Sequence, residues 1–96
     1  MKIPFTQYLM PDGRQKEVFF ESKEEQEDKV TTLIEAGVAF EVEMLSTGEV
    51  SLTVEYEGFG EGNITLAHEI CSNGLEVTTA VETLIKEAYA SLKKIK

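Results

Sequence analysis

Two alternating segments, VAFEVEML and EVSLTVEYE, constrain the fold more than any other feature of the sequence. In each segment every second residue is apolar and the residues between are mostly polar or acidic, which is typical of half-buried antiparallel strands. The linking Ser46-Thr47-Gly48 must form a three-residue loop, because a two-residue loop would set apolar side chains opposite polar ones. In that register Glu43 faces Ser51. Glu41 then faces Thr53, and no two like charges are directly opposed.

The polar face of these strands is acidic, with Glu41, Glu43 and Glu55 on it. The whole chain has eighteen acidic and nine basic residues and a formal net charge of −9. Such a charge repels nucleic acid and anionic membranes, so we expect neither as a partner. The face is interpreted as a solvated surface or, alternatively, as a docking surface for a basic protein.

A second hairpin is predicted at the start of the chain, in PFTQYLMPDGRQ, where Pro11-Asp12-Gly13 has the residues of a three-residue turn. That loop pairs Tyr8 with Lys16 and Phe5 with Phe19. Both faces of the hairpin would then carry apolar residues. The first face has Ile3, Phe5, Leu9 and Phe19, and the second has Tyr8, Met10, Val18 and Phe20.

Two helices are predicted. Ser22 and Glu25 have the spacing of a capping box at the start of the first, and Gly37 suits its left-handed end. The second runs roughly from Val77 to Ile95, where apolar residues recur at helical spacing and lysines collect in the last turn.

The segment ITLAHEIC reads as a fifth strand, and alternation puts His68 on the same face as Ile64, Leu66 and Ile70. We therefore expect His68 to be a polar residue at the edge of the core. No metal or other cofactor is expected, because one histidine and one cysteine fall short of the ligands that zinc needs. Cys71 is interpreted as a semi-buried structural thiol.

The order β-β-α-β-β-β-α over residues 1–96 predicts a single α+β domain. We expect a two-layer architecture with an antiparallel sheet and both helices packed on one face. With one cysteine and no signal peptide or long apolar span, the chain is expected in the cytoplasm.

Three segments, PFTQYLMPDGR, LIEAGVAFEVEMLSTGEVSLTVE and EICSNGLEVTTAVETLI, together resemble a family of small bacterial and prophage proteins. Its members begin with a PFTQYL-x-PDGR segment, and no function is established for the family. The resemblance covers most of the chain and implies a self-contained domain, but no activity or catalytic residues. Members often have prolines near Leu75 and Thr78. This chain has neither, so the start of its second helix is less sharply fixed.

The glycine-rich EGFGEGN contains Phe59 between two glycines. Phosphate-binding loops of this composition join a strand to a helix, whereas this one joins two strands and carries acids, so a hairpin tip is predicted. Phe59 either folds back on the core or is an exposed anchor for a protein partner.

The second apolar face of the first hairpin has three explanations. The hairpin extends the main sheet, or it packs against its copy in a homodimer, or it binds a different protein. We favour the homodimer, and Tyr8, Met10 and Phe20 are then interface candidates.

The sequence leaves two hypotheses for the function of the protein. The first is a non-enzymatic binding or regulatory protein that acts through the acidic face, Phe59 or the first hairpin. The alternative is a small enzyme whose site forms between subunits, with His68 as acid–base and Tyr8 or Glu69 nearby. The lack of a convergent polar cluster disfavours the enzyme, so no catalytic residue is assigned.

Overall fold

The structure, a computed structural model, describes residues 1–9, 13–57, 62–72 and 76–95, and it confirms the predicted α+β class. The strands are β1 (Lys2–Leu9), β2 (Arg14–Glu21), β3 (Ala39–Met44), β4 (Val50–Glu57) and β5 (Asn63–Cys71). After a 3-10 turn at Glu24–Gln26, the helices are α1 (Glu27–Glu35) and α2 (Val77–Ile95).

The five strands form one mixed sheet in the order β2-β1-β3-β4-β5. All neighbouring strands are antiparallel except β1 and β3, which are parallel and pair Thr6 with Glu41 and Gln7 with Val42. The expectation of a purely antiparallel sheet is therefore wrong. The chain leaves β2 at the edge, passes through α1 and returns on the far side of β1, so that β3 runs in the direction of β1.

The central hairpin, β3 and β4, has the predicted register. Glu43 lies opposite Ser51 and Glu41 lies opposite Thr53. The backbone N–H of Leu45 donates to the carbonyl of Glu49 at 2.9 Å and closes the three-residue loop. Gly48 adopts a φ of +92°, a conformation that glycine reaches without a steric penalty.

The core lies against one face of the sheet, called the inner face. It takes apolar side chains from β1, β3, β4 and β5 and from both helices. Its fully buried members include Ile3, Phe5, Val30, Leu33, Leu52, Val54, Val81, Leu84 and Ile85.

The first hairpin is shifted by one residue from the predicted register, since four residues separate its last pair, Leu9 and Arg14, where three were expected. Phe5 lies opposite Val18, and Leu9 lies opposite Arg14. A one-residue shift moves every side chain of β2 to the other face. Phe20 therefore faces inward, its ring centroid 4.9 Å from that of Phe5, while Phe19 faces outward and is 55% exposed. The prediction that Phe20 shares a face with Tyr8, and that Phe19 shares the other face with Phe5, is therefore wrong.

Two residues of the predicted hairpin faces cannot be placed. The side chain of Leu9 and the whole of Met10 lie outside the described part of the chain. The apolar residues of β2 that the structure does describe divide between the two faces, with Val18 and Phe20 packed against the core.

A bulge in β5 corrects the predicted position of His68. Tyr56 pairs with Ile64 as expected, but the register shifts at Leu66, and beyond it Val54 pairs with Ala67. The additional residue turns the rest of the strand over. His68 consequently lies opposite Thr53 on the outer face and is exposed, so its placement at the core edge was wrong.

The first helix begins differently from the predicted capping box. The Ser22 side chain is buried, and its hydroxyl donates to the carbonyl of Met1 at 3.3 Å. The 3-10 turn starts after Lys23, so Ser22 lies one position too early to cap it. At the other end, Gly37 has a φ of +82° and ends the helical segment as predicted.

Candidate functional site: the outer face of the sheet

The outer face carries most of the predicted site residues. The strand pairings place one row of side chains across all five strands: Glu17, Thr6, Glu41, Thr53 and His68. The neighbouring row has Gln15 and Tyr8 on one half of the sheet and Glu43, Ser51 and Ile70 on the other. We call these ten residues the outer-face site.

A cleft of about 250 Å³ opens within this site. The parallel pairing of β1 and β3 ends at Gln7 and Val42, and the cleft lies just beyond this point. Tyr8, 52% exposed, forms one wall. The remaining lining residues are Glu41, Val42, Glu43, Ser51 and Thr53.

One hydrogen bond joins the cleft to β5. Ser51 Oγ and His68 Nε2 are 2.7 Å apart, and which of them donates depends on the imidazole tautomer. Ser51 is only 9% exposed, whereas His68 is open to solvent. A hydroxyl held by an imidazole is the arrangement from which nucleophilic serines are activated. On a sheet face, however, it also occurs as an ordinary diagonal contact between strands.

Within residues 1–9, 13–57, 62–72 and 76–95, the carboxylates beside the cleft have no cationic partner. In the described part of the chain, no lysine or arginine forms an ion pair with Glu41, Glu43 or Glu55. Glu55 accepts a 3.1 Å hydrogen bond from Asn63 Nδ2, which carries no charge. Partial burial raises the pKa of Glu41 above its ordinary value, and the charge of Glu55 raises that pKa further. The site thus holds negative charge that is partly desolvated and uncompensated.

The predicted binding residues separate into three groups. Tyr8, Glu41 and Glu43 meet at the cleft, and Glu55 lies on the same face in the adjoining row. Phe20 is on the inner face. Met10 and Phe59 lie outside the described residues.

Glu69 and Cys71 lie on the opposite face from His68, so their side chains do not converge with the imidazole. Burial raises the pKa of the Cys71 thiol, and the nearby Glu76 carboxylate adds to the effect, which keeps the sulfur protonated. The thiol is 3.6 Å from the carbonyl of Val50 and only 3% exposed, consistent with a structural role. Among the described residues, no group of three histidine, cysteine or acidic side chains is arranged to hold a metal ion.

Sequence reasoning did not identify Ser51 as the hydrogen-bond partner of His68. The signal was the adjacent apolar pair Leu66-Ala67, which breaks the alternation of β5 and indicates a bulge.

The chain was also compared with known proteins. No family model, curated protein or solved structure matches it. Neither described helix has the length and apolarity needed to cross a membrane.

Proposed function

We propose that this protein is a non-enzymatic binding module whose outer-face site docks a basic, extended segment of another protein. The observation that carries the proposal is a group of three carboxylates that have no cationic partner among the described residues. Glu41 and Glu43 line the open cleft, and Glu55 lies in the adjoining row on the same face. An arginine or lysine side chain in that cleft would supply the missing charge.

The exposure of the outer face supports this function. Both helices contribute to the core on the inner face, and we infer that neither covers the outer one. Tyr8 and Ile70, each about half exposed, provide apolar contact area at either side of the acidic centre. Acidic residues between aromatic and aliphatic ones suit a partner in which basic and apolar side chains alternate.

The raised pKa of Glu41 supports a cationic partner in particular. Burial disfavours the charged carboxylate, and a nearby guanidinium or ammonium group would favour it again. Tyr8 forms a wall of the same cleft, where the face of its ring can also attract a cation. A basic side chain would therefore interact with two different groups at once.

A peptide-display selection tests the proposal with a defined probe, a random twelve-residue library. The protein is compared with a Glu41→Lys, Glu43→Lys variant that reverses the charge of the cleft. The matched control is Glu24→Lys, Glu25→Lys, which has the same net charge but alters exposed residues of the 3-10 turn.

We expect the enriched peptides to contain clustered lysines and arginines. Binding should be lost in the cleft variant and kept in the control. The proposal would be wrong if no basic peptides are enriched, if the cleft variant binds equally well, or if both variants lose binding to the same extent.

A second candidate function is acid–base chemistry by His68, favoured by its 2.7 Å hydrogen bond to Ser51. It ranks lower because Ser51 lies on β4, an interior strand whose backbone N–H groups are used in pairing with β3 and β5 and are not free to stabilise a developing oxyanion. His68→Ala separates the two functions, since it should abolish an enzymatic activity and leave basic-peptide binding within a few-fold.

The family resemblance suggests the setting of this activity. For a small bacterial or prophage protein in the cytoplasm, we propose that the partner is a basic protein of the host cell. Regulation of that protein by occupation of a basic segment is the simplest outcome of such docking.

A further inference from the structure

The two edges of the sheet differ in how readily they can accept another strand. At one edge, β5 contains the bulge at Leu66, a feature that commonly prevents further strand addition. At the other edge, β2 pairs regularly with β1 along all eight of its residues and contains no proline. Strand β2 therefore presents a long, regular row of backbone groups to solvent.

Apolar side chains lie on both faces of this open edge. Phe19 is 55% exposed on the outer face. On the inner face, Val18 and Phe20 are half-buried and line an apolar groove of about 400 Å³ together with Met44, Val50, Val77 and Thr78. An edge that offers both unpaired backbone groups and apolar surface is suited to pairing with another strand.

We propose that β2 pairs antiparallel with β2 of a second copy of this chain, around a two-fold axis at Val18. Symmetric pairing of two identical edges joins the two sheets into one of ten strands. Both outer-face sites would then lie on the same side of the dimer. This assembly is independent of the identity of any basic partner.

Charge and strand length together select the register. An axis at Phe20 would pair only residues 19–21 within β2, and an axis at Gln15 would set Arg14 opposite Lys16. An axis at Lys16 or at Glu17 sets that charged residue opposite itself, and an axis at Phe19 sets Glu17 opposite Glu21 twice. With the axis at Val18, no like charges are directly opposed. The pairs are then Val18 with Val18, Glu17 with Phe19, Lys16 with Phe20 and Gln15 with Glu21.

The inward-facing Lys16 is compatible with this register. Its methylene stem would cover the ring of Phe20 of the second copy, while the ammonium group reaches water. Val18 of the second copy would extend the apolar wall that Val18 and Phe20 already form.

Substitutions of opposite charge at Phe19 test the register, because Phe19 would lie opposite Glu17 of the second copy. Phe19→Glu would create two opposed pairs of like charge, and Phe19→Lys two pairs of opposite charge. The oligomeric state of the full chain is measured by sedimentation velocity over a range of protein and salt concentrations. Ile70→Glu and Ile70→Lys, on the outer face of the other edge strand, are the matched controls.

We expect the unmodified protein and both Ile70 variants to dimerise. The dissociation constant of Phe19→Glu should exceed that of Phe19→Lys by at least about tenfold, with a difference that shrinks in high salt. The proposal would be overturned if the unmodified protein is monomeric. It would also be overturned if Phe19→Glu and Phe19→Lys change the dissociation constant of the dimer equally. A monomeric Phe19→Glu protein should still bind basic peptides through Glu41 and Glu43, so failure of the dimer and failure of the docking function are distinguishable.

Discussion

Ser51 Oγ and His68 Nε2 are 2.7 Å apart on the outer face, although the strand register places His68 directly opposite Thr53. The contact is a diagonal one. It exists only because the bulge at Leu66 turns the second half of β5 over. A single additional residue thus moves the only histidine of the chain from the core side to the candidate binding surface.

The first prediction concerns the strength of this contact. We expect Ser51→Ala and His68→Ala to be coupled by about 0.5–1.5 kcal/mol in a double-mutant cycle of unfolding free energy, the usual net value of one hydrogen bond. Chemical denaturation of the four proteins measures it. Additive effects of the two substitutions would show that the hydrogen bond does not form in solution.

A second prediction tests the register of the first hairpin. Phe5→Ala should lower the free energy of unfolding by about 3–5 kcal/mol, because it empties a fully buried site in the core. Phe20→Ala should have a smaller but clear cost, since its ring packs on Phe5. Phe19→Ala should change the stability of the monomer by no more than about 0.5 kcal/mol.

Thermal or urea unfolding at low protein concentration measures all three variants without a contribution from self-association. Phe19→Ala costing more than Phe20→Ala would contradict the observed register. That result would restore the pairing expected from a three-residue loop.

These two hairpins show what the sequence could predict and what it could not. The β3–β4 hairpin was predicted down to the pairing of Glu43 with Ser51, because strict alternation and a loop containing Gly48 leave one register that keeps apolar residues together. In the first hairpin, Val18-Phe19-Phe20 is apolar without alternation. The number of loop residues alone then decides which aromatic ring is buried, and the turn residues did not determine that number.

The site was predictable to a similar degree. The acidic face of β3 and β4 followed from alternation. Tyr8 was expected as a homodimer interface residue on the first hairpin, and nothing in the sequence placed it beside Glu43. The parallel pairing of β1 with β3, which creates the cleft, depends on how α1 crosses the sheet. No local pattern encodes that crossing.

The third prediction concerns pH. Burial raises the pKa of Glu69, and its hydrogen bond to Glu87 and the charge of Glu87 raise that pKa further. The folded state therefore holds this proton more tightly than the unfolded state. As the pH rises from the ordinary carboxyl pKa through the higher pKa of the folded state, Glu69 lowers the stability of the protein. Glu69→Gln should accordingly increase stability near neutral pH and leave it little changed in acid.

Glu82 provides a control in which the pH dependence of stability has the opposite sign. A hydrogen bond from Lys23 lowers the pKa of Glu82, and the charge of Lys23 lowers it further, so this group contributes stability that is lost as the pH falls. Glu82→Gln should decrease stability at neutral pH. Unfolding curves of both variants between pH 3 and pH 8, chosen as roughly the range in which carboxyl groups titrate, measure the effect. A decrease for Glu69→Gln at neutral pH would contradict the assignment.

The central claim is that the outer-face site, rather than acidic surface in general, binds a basic segment. An amide NMR titration with an eight-residue peptide of alternating arginine and alanine tests it most directly. The chain offers an internal comparison, because Glu24, Glu25, Glu27 and Asp28 form a second acidic cluster at the start of α1. We predict the largest shift changes at Tyr8, Glu41 to Glu43, Thr53 and His68, and their loss in the Glu41→Lys, Glu43→Lys variant. Largest changes at residues 24–28, or changes that persist in that variant, would contradict the account.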